Sequence, residues 1–353
     1  MPTRWRWRRV LPDGRVLDDT LTAPQVPYGA GGTGMPRPVA AALRLLEWLE
    51  HWPSNVIPIL TYHRVSPLPP HGRPLYPGLI SATPSEFADQ MEYLQRHHRV
   101  LGIEELLDAR RGGFRLPPRS VAVTFDDAYA DFAEHAWPVM RDLGLPATLF
   151  VPTTYPGEPD RVFWWDRLYR SLVMRNRGLA LPFDYEKAFR SLSNELNQLP
   201  HEMAKTHLQE LLRHDEHRAD NGVLTWPQLR KLKNDGVTLA PHSRTHPRLD
   251  RISHEELLDE VGGSLADLRV EVGEVPPAFA YPHGAHNGSV VKAIRQAGLL
   301  IGLTTRRGTN RLGMADWYRL RRINVGRRSS LELIRLQLLP RIGPLVAALA
   351  GRR

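Results

Sequence analysis

Short apolar stretches recur along this chain, and each is followed by polar or turn-forming residues. The most continuous ones span residues 56–63, 121–125, 147–151, 237–240, 278–281, 300–305 and 320–325. Uninterrupted apolar runs of this length are typical of strands buried on both faces. Amphipathic segments that predict helices lie between most of them, for example at 85–97, 226–234 and 290–297. The alternation predicts an α/β fold with about seven parallel strands, either closed into a barrel or wound as an open sheet.

Three segments depart from this alternation. Residues 1–36 are polar, interrupted by proline and end in a glycine-rich stretch, which predicts a disordered N-terminal tail. Residues 156–222 are rich in long polar side chains and predict a helical insertion between two core strands. The main domain is therefore expected over 37–330, with its core motifs in 118–326, and a C-terminal helical tail over 331–353.

The composition narrows the chemistry of any site. The chain of 353 residues has no cysteine, so disulfides, iron–sulfur clusters and thiol nucleophiles are excluded. A metal ion would have to be held by histidine, aspartate or glutamate side chains.

The net charge of +9 comes mostly from arginines that are scattered along the chain. Scattered charge is typical of a solvated surface, and no motif indicates a specific nucleic-acid partner. No export signal and no membrane span is visible, so a cytoplasmic location is the default expectation. Apolar residues near the C-terminus are compatible with core packing or with a peripheral membrane contact: Ile334, Leu338, Leu339 and Leu345. The sequence assigns no oligomeric state.

Polar side chains with metal-binding chemistry follow two of the predicted strands. Asp126 and Asp127 come directly after one strand, and His242 and His246 follow another, four residues apart. One carboxylate and two imidazoles leave an open position on a metal ion, and the second carboxylate can move protons. Adjacent aspartates need a turn to share a site, whereas the histidine spacing of one helical turn lets both rings face one ion. Taken alone, either pair is also typical of turns, helix caps or surface residues.

These strings resemble the motifs of the polysaccharide deacetylases, the carbohydrate esterases with a NodB-type domain. The family's Thr-Phe-Asp-Asp-Gly reads Thr-Phe-Asp-Asp-Ala at residues 124–128, and its His-Ser/Thr-x-x-His reads His-Ser-Arg-Thr-His at 242–246. The resemblance covers roughly residues 55–330. It implies a distorted (β/α) barrel with a divalent metal ion, most often zinc. Asp127, His242 and His246 would be the ligands, and Asp126 the catalytic base.

Two further motifs differ from the usual family pattern. The third motif, Phe-Ala-Tyr-Pro-His-Gly at 279–284, lacks the arginine that normally orients the base. This form resembles the branch that modifies poly-N-acetylglucosamine exopolysaccharides. The resemblance implies that Tyr281, Pro282 and His283 lie at the substrate, and that a backbone N–H near His283 binds the oxyanion. The C-terminal Leu-x-His motif is absent, and the Tyr-His of the N-terminal motif implies that His63 is the general acid.

The resemblance therefore implies a hydrolase that removes N-acetyl groups from N-acetylglucosamine-type residues of a polysaccharide or glycan precursor and releases acetate. Two alternatives stay open, namely an O-acetyl glycan esterase with the same site and a non-catalytic glycan-binding protein that keeps the fold. Trp164 and Trp165 open the insertion and are compatible with a sugar-stacking platform or with core packing. Asp316 and Trp317 resemble a fourth family motif that lines the substrate.

Overall fold

A computed structural model describes residues 7–10, 16–19, 37–50, 52–69, 75–112, 115–158, 161–175, 184–199, 201–213 and 222–343. The chain divides into two compact units, Met1–Arg37 and Pro38–Arg353. In the first unit, strands Trp7–Val10 and Val16–Asp19 pair antiparallel. These two strands lie within the segment that the sequence predicted to be a disordered tail, and the rest of that prediction falls outside the described residues.

The second unit is built around seven parallel strands. They are β1 (Ile59–Tyr62), β2 (Ser120–Phe125), β3 (Thr148–Val151), β4 (Thr238–Pro241), β5 (Ala278–Ala280), β6 (Ile301–Arg307) and β7 (Leu320–Asn324). The ladder runs in the order β4-β3-β2-β1-β7-β6-β5, so sequence neighbours are also neighbours in space. The strands form a nearly closed barrel, and the predicted (β/α) barrel is confirmed. In the described part of the chain, no ladder joins β4 to β5, which leaves one seam in the wall.

The structure also contains short additional strands: Val56–Ile57, Arg64–Val65, Ile80–Ala82, Arg99–Leu101 and Asn310–Arg311. Four of them form two separate two-stranded sheets, in which Val56–Ile57 pairs with Asn310–Arg311 and Arg64–Val65 pairs with Ile80–Ala82. Among them, Arg99–Leu101 pairs in parallel with the start of β2. It was not predicted, because three residues are too few to give a clear apolar run.

Helices cover the outside of the barrel. They are α1 (Arg37–Leu49), α2 (Pro84–His97), α3 (Ile103–Arg110), α4 (Trp137–Asp142), α5 (Trp164–Arg175), α6 (Tyr185–Gln198), α7 (His201–Leu211), α8 (Trp226–Asn234), α9 (His254–Leu258), α10 (Ser264–Val272), α11 (Gly288–Gln296) and α12 (Leu331–Leu338). Helices α5 to α7 lie between β3 and β4, within the predicted insertion. Among the described residues, no helix combines the length and the hydrophobicity needed to cross a membrane.

The strands bury both faces, which explains their uninterrupted apolar sequences. Every residue of β2 is buried. Alternate positions such as Ile59, Ala122 and Leu320 belong to one apolar cluster inside the barrel, whereas Leu60 and Val123 pack with the helices. Because side chains alternate across a strand, Asp126 and Arg322 continue the inward-facing positions of β2 and β7. The register of the strands therefore directs both charged side chains into the barrel.

The C-terminal helix α12 is part of the main core. Ile334, Leu338 and Leu339 are fully buried, so core packing rather than a membrane contact accounts for these three residues. Ser330 begins the helix as its cap, since its hydroxyl accepts a hydrogen bond from the Leu333 N–H. Leu345, the fourth apolar residue considered for membrane contact, lies outside the described residues.

We expect Leu338→Ala to lower the free energy of unfolding by about 2–5 kcal/mol, because a fully buried leucine leaves a cavity when it is truncated. Urea denaturation followed by circular dichroism measures the change. Leu258→Ala is a matched control, because Leu258 is 42% exposed and its truncation should have a much smaller effect. Equal losses from both variants would contradict the placement of α12 in the core.

Candidate metal centre

The two aspartates lie at the barrel mouth, which is the end of the barrel where the parallel strands end. A tight turn of the backbone brings them there. Strand β2 ends at Phe125, and the backbone then enters the left-handed region at Asp127 (φ 72°) and Ala128 (φ 52°). An extended chain would send adjacent side chains to opposite faces, so this turn brings Asp126 and Asp127 to the same site. Ala128 stands where the family has glycine, and the left-handed conformation costs a non-glycine residue about 1–2 kcal/mol.

The two histidines also lie on irregular backbone, which corrects the expectation of a helical turn. Ser243 (φ 63°) and His246 (φ 61°) both have left-handed backbone, which an α-helix does not accommodate. The His246 N–H donates to the Ser243 hydroxyl at 3.1 Å and closes a tight loop. The loop still brings the two rings together, with their Nε2 atoms 3.2 Å apart.

Asp127, His242 and His246 form a buried set of three potential ligands. One ligand atom from each lies within 4.8 Å of the others. Asp127 Oδ1 is 3.5 Å from His242 Nε2 and 3.2 Å from His246 Nε2, yet it lacks any hydrogen bond of acceptable geometry. A buried carboxylate oxygen without a partner is costly, and a cation between these three atoms would satisfy it. The donor set of one oxygen and two nitrogens fits zinc.

His242 is oriented across the seam of the barrel. Its Nδ1 lies 2.7 Å from the carbonyl oxygen of Ala280, the last residue of β5. Because a carbonyl only accepts, Nδ1 carries the proton and Nε2 presents a lone pair to the site. The ring thus links the ends of β4 and β5, which no ladder connects, and its tautomer suits metal binding.

Asp126 is held by an arginine that the sequence analysis missed. Arg322 of β7 is fully buried, and its guanidinium donates to both Asp126 oxygens at 2.8 and 2.7 Å. The remaining donors of Arg322 reach the Thr61 hydroxyl and the Thr304 carbonyl, both at 2.9 Å. The third motif lacks the arginine that the resemblance led us to expect beside the base, and Arg322 pairs with Asp126 from another strand. The sequence contained one indication of this position. Arg322 is two residues after Leu320 on the same strand, so both side chains face the barrel interior.

Burial and neighbouring charges oppose each other in this site. Burial alone would raise the pKa of Asp126, but the charges of Arg322 and His242 bring its pKa below the usual value. Burial would likewise raise the pKa of Asp127, but the two imidazoles hold its pKa well below its usual range. For His246, burial dominates and lowers the pKa, while the aspartates raise the pKa of His242 despite its burial. Both carboxylates are therefore ionised at neutral pH.

His63 and His283 lie near the three potential ligands. His63 directly follows β1 and is half-buried, and its N–H donates to the Ser81 hydroxyl at 2.9 Å. A charge on His63 lowers the pKa of both Asp126 and Asp127, which places it at the same mouth. His283 has left-handed backbone (φ 57°), and its ring centroid is 4.7 Å from that of His246.

Tyr281 and Pro282 are both buried. The Tyr281 side chain is fully buried, and its hydroxyl donates to the Tyr318 carbonyl at 2.8 Å. This direction takes the ring into the core and away from the mouth, so the predicted position of Tyr281 at the substrate would involve its backbone rather than its ring. Pro282 is buried and begins the short turn that carries His283.

Trp165 packs beside the potential ligands. Its ring stacks on Phe163 at 4.5 Å and meets the His246 ring edge-on at 5.0 Å, and its Nε1 donates to the Tyr129 hydroxyl at 2.9 Å. Trp165 is only 7% exposed, which is core packing rather than an open sugar-stacking platform. Trp164 is half-buried beside it.

Asp316 and Trp317 lie away from the site. Two residues separate them from the start of β7, and the Trp317 carbonyl accepts a hydrogen bond from the N–H of Gly302 at the start of β6. In a parallel barrel the starts of the strands are at the end opposite to the mouth. The expectation that these two residues line the substrate is therefore wrong.

Comparison with known proteins assigns the chain to a family. The family described as polysaccharide deacetylase matches residues 115–302, just over half of the chain. The chain belongs to this family. This confirms the family indicated by the two motifs at 124–128 and 242–246.

The relatives agree with the branch that the third motif indicated. A poly-beta-1,6-N-acetyl-D-glucosamine N-deacetylase of Staphylococcus aureus (strain MRSA252) is 24% identical over 225 residues, which is 64% of this chain and 61% of the relative. The Escherichia coli (strain K12) protein of the same name is 22% identical over 277 residues, 76% of this chain and 36% of the relative. The chain thus spans less than two thirds of the length of these curated relatives.

Solved structures share the fold. The Streptococcus pyogenes deacetylase PplD, determined in complex with acetate, has a TM-score of 0.57 and 22% identity, covering 80% of this chain and 98% of that one. IcaB from Ammonifex degensii has a TM-score of 0.55 and 19% identity, covering 80% of this chain and 96% of its own.

We expect Arg322→Met to lower the free energy of unfolding by about 3–5 kcal/mol, because it leaves the buried Asp126 carboxylate without a partner. Urea denaturation measures the change. Arg321→Met is the matched control, since this neighbouring arginine is exposed and should tolerate the change. A loss for Arg322→Met no larger than that for Arg321→Met would show that the ion pair does not hold Asp126.

Proposed function

We propose that this protein is a metal-dependent hydrolase that removes N-acetyl groups from N-acetylglucosamine-type residues of a polysaccharide or glycan precursor and releases acetate. The observation that carries the proposal is the convergence of Asp127, His242 and His246 on one point beside Asp126. The names of the curated relatives, poly-beta-1,6-N-acetyl-D-glucosamine N-deacetylases, support the choice of substrate class.

Asp127, His242 and His246 would hold the metal ion, for which zinc is expected from the ligand types. When bound, the ion polarises the substrate carbonyl and makes a nearby water more acidic. The Nδ1 contact to Ala280 directs the His242 lone pair toward this position. The ionised Asp127 supplies the negative charge that favours a cation in a buried site.

Asp126 would act as the general base toward the attacking water. Each carboxylate oxygen has more than one lone pair, so its two bonds to Arg322 leave acceptor capacity for the water proton. The low pKa keeps Asp126 ionised, and the fork of Arg322 fixes the orientation of the carboxylate. Arg322 is thus a positioning residue for this step.

His63 would protonate the leaving nitrogen, because an amine leaves an amide carbon far more readily once its nitrogen carries the proton. It follows β1 directly, so it lies on the same rim as the aspartates that follow β2. A backbone N–H near His283 would stabilise the oxyanion, and Pro282 and the left-handed His283 backbone shape the turn that presents it.

We expect acetate release from N-acetylglucosamine oligomers to be abolished by a chelator and restored by zinc. His242→Ala should lose both bound zinc and activity, because one of three ligands is removed. Asp126→Asn should retain zinc and lose about 10²–10⁴-fold in kcat, because the base is removed. Acetate assays and elemental analysis measure these results.

His254→Ala is the matched control for His242→Ala, because His254 is an exposed histidine and should leave zinc and activity unchanged. Paired assays on N-acetylated and O-acetylated glycans distinguish the deacetylase from the esterase. Acetate release that survives both Asp126→Asn and His242→Ala would refute the proposed chemistry.

The role of His63 depends on the leaving group. His63→Ala should lower kcat for an N-acetylated substrate by about 10²-fold or more, because the amine must be protonated to leave. The same variant should hydrolyse an activated aryl acetate nearly as well as the wild type, because a phenolate leaves without a proton. Equal losses on both substrates would show that His63 is not the acid.

A further inference from the structure

The loop 242–246 carries two of the three proposed ligands, and its residues lie outside any helix or strand. Two carbonyl groups of the loop have backbone partners. Ser243 and Arg244 accept hydrogen bonds from the N–H groups of Thr153 and Thr154, both at 3.1 Å. Two residues of the loop have left-handed backbone. Such a conformation persists only where the surroundings hold it, so the N–H side of the loop also needs partners.

Glu260 supplies these partners from the neighbouring helix. One of its carboxylate oxygens accepts the backbone N–H groups of Arg244 and Thr245 at 2.8 and 2.9 Å. The other accepts the Thr245 hydroxyl in a short hydrogen bond. Glu260 is only 7% exposed, so these charge-assisted bonds are shielded from water. Together they satisfy three donors of the loop, and we call this set of contacts the Glu260 clamp.

The position of Glu260 depends on an irregular turn in its helix. A π-helical turn, Asp259–Gly263, lies between α9 and α10, and turns of this kind are frequent at functional sites. The Arg244 side chain crosses this turn and pairs with Asp259 and Asp267 at 2.9 and 3.0 Å. Gly263 makes the crossing possible, because a Cβ at that position would lie 2.6 Å from Arg244 Cδ. The helical segment therefore holds the loop in two ways. Glu260 binds the backbone of the loop, and Asp259 and Asp267 bind the Arg244 side chain.

We infer that Glu260 is a positioning residue of the metal centre, which preorganises His242 and His246 for the ion. The inference rests on the proposed metal-dependent function. A loop that is fixed before the ion arrives loses less conformational freedom on binding, so the clamp raises metal affinity without touching the metal. Asp259 and Asp267 contact the Arg244 side chain, and Asp267 also accepts a hydrogen bond from the Thr153 hydroxyl at 2.6 Å. Neither aspartate accepts a hydrogen bond from the backbone of the loop.

The test uses zinc affinity of the purified full chain, measured by competition with a chromogenic chelator. Glu260→Ala and Glu260→Asp should each weaken zinc binding by about 10–100-fold, the range found when groups that orient ligands are changed. Glu260→Asp keeps the negative charge, but its shorter side chain withdraws the carboxylate from the loop. This variant therefore distinguishes the effect of the hydrogen bonds from the effect of the charge. Glu255→Ala removes an exposed glutamate of the same helix and should bind zinc like the wild type.

Hydrogen exchange of the metal-free chain provides a second readout that does not need the ion. The amides of Arg244 and Thr245 should be protected in the wild type and exchange faster in Glu260→Ala, while amides of β2 keep their protection. The inference is overturned if these two amides exchange at the wild-type rate in Glu260→Ala, or if Glu260→Asp binds zinc like the wild type. A wild type that binds no zinc would refute the proposed function instead, and the exchange of the two amides would still decide whether the clamp exists.

Discussion

The buried ion pair between Asp126 and Arg322 is the interaction on which the rest of the barrel mouth depends. Removing two charges from water costs several kcal/mol for each ion, and only a well-formed pair offsets that cost. Here the guanidinium also reaches Thr61 and Thr304, so one side chain links groups from β1, β2, β6 and β7. The pair forms only when these strands have the correct register, and it therefore couples the closure of the barrel to the orientation of the proposed base.

The adjacent carboxylate has the opposite arrangement. Asp127 is as buried as Asp126, but its Oδ1 has no arginine and no hydrogen bond, only two imidazole nitrogens directed at the same point. The difference arises from one turn of backbone, because φ at Asp127 and Ala128 is left-handed. Two adjacent aspartates thus have different surroundings: the charge of Asp126 is balanced by Arg322, and that of Asp127 is left for the proposed cation.

The seam of the barrel is where the proposed metal ligands belong. Strands β4 and β5 are not joined by a ladder, and the His242 ring connects their ends through Ala280. The loop that follows β4 has irregular backbone, and its geometry is maintained by contacts from Glu260, Thr153 and Thr154. The proposed metal ligands of this loop are therefore oriented both by the end of β5 and by the helical segment that carries Glu260.

The sequence by itself determined the seven strands, because strands buried on both faces must be apolar throughout, and it determined the family through two short motifs. It also indicated that Asp126 and Asp127 needed a turn. The irregular loop around His246, the pairing of Arg322 with Asp126, the burial of the Tyr281 ring and the position of Asp316 away from the mouth came only from the tertiary structure. Arg321 and Arg322 are adjacent residues of the same type. Only the strand register decides that Arg321 is exposed and that Arg322 pairs with Asp126. Local patterns specify which segments are strands, whereas contacts between distant segments depend on how those strands pair.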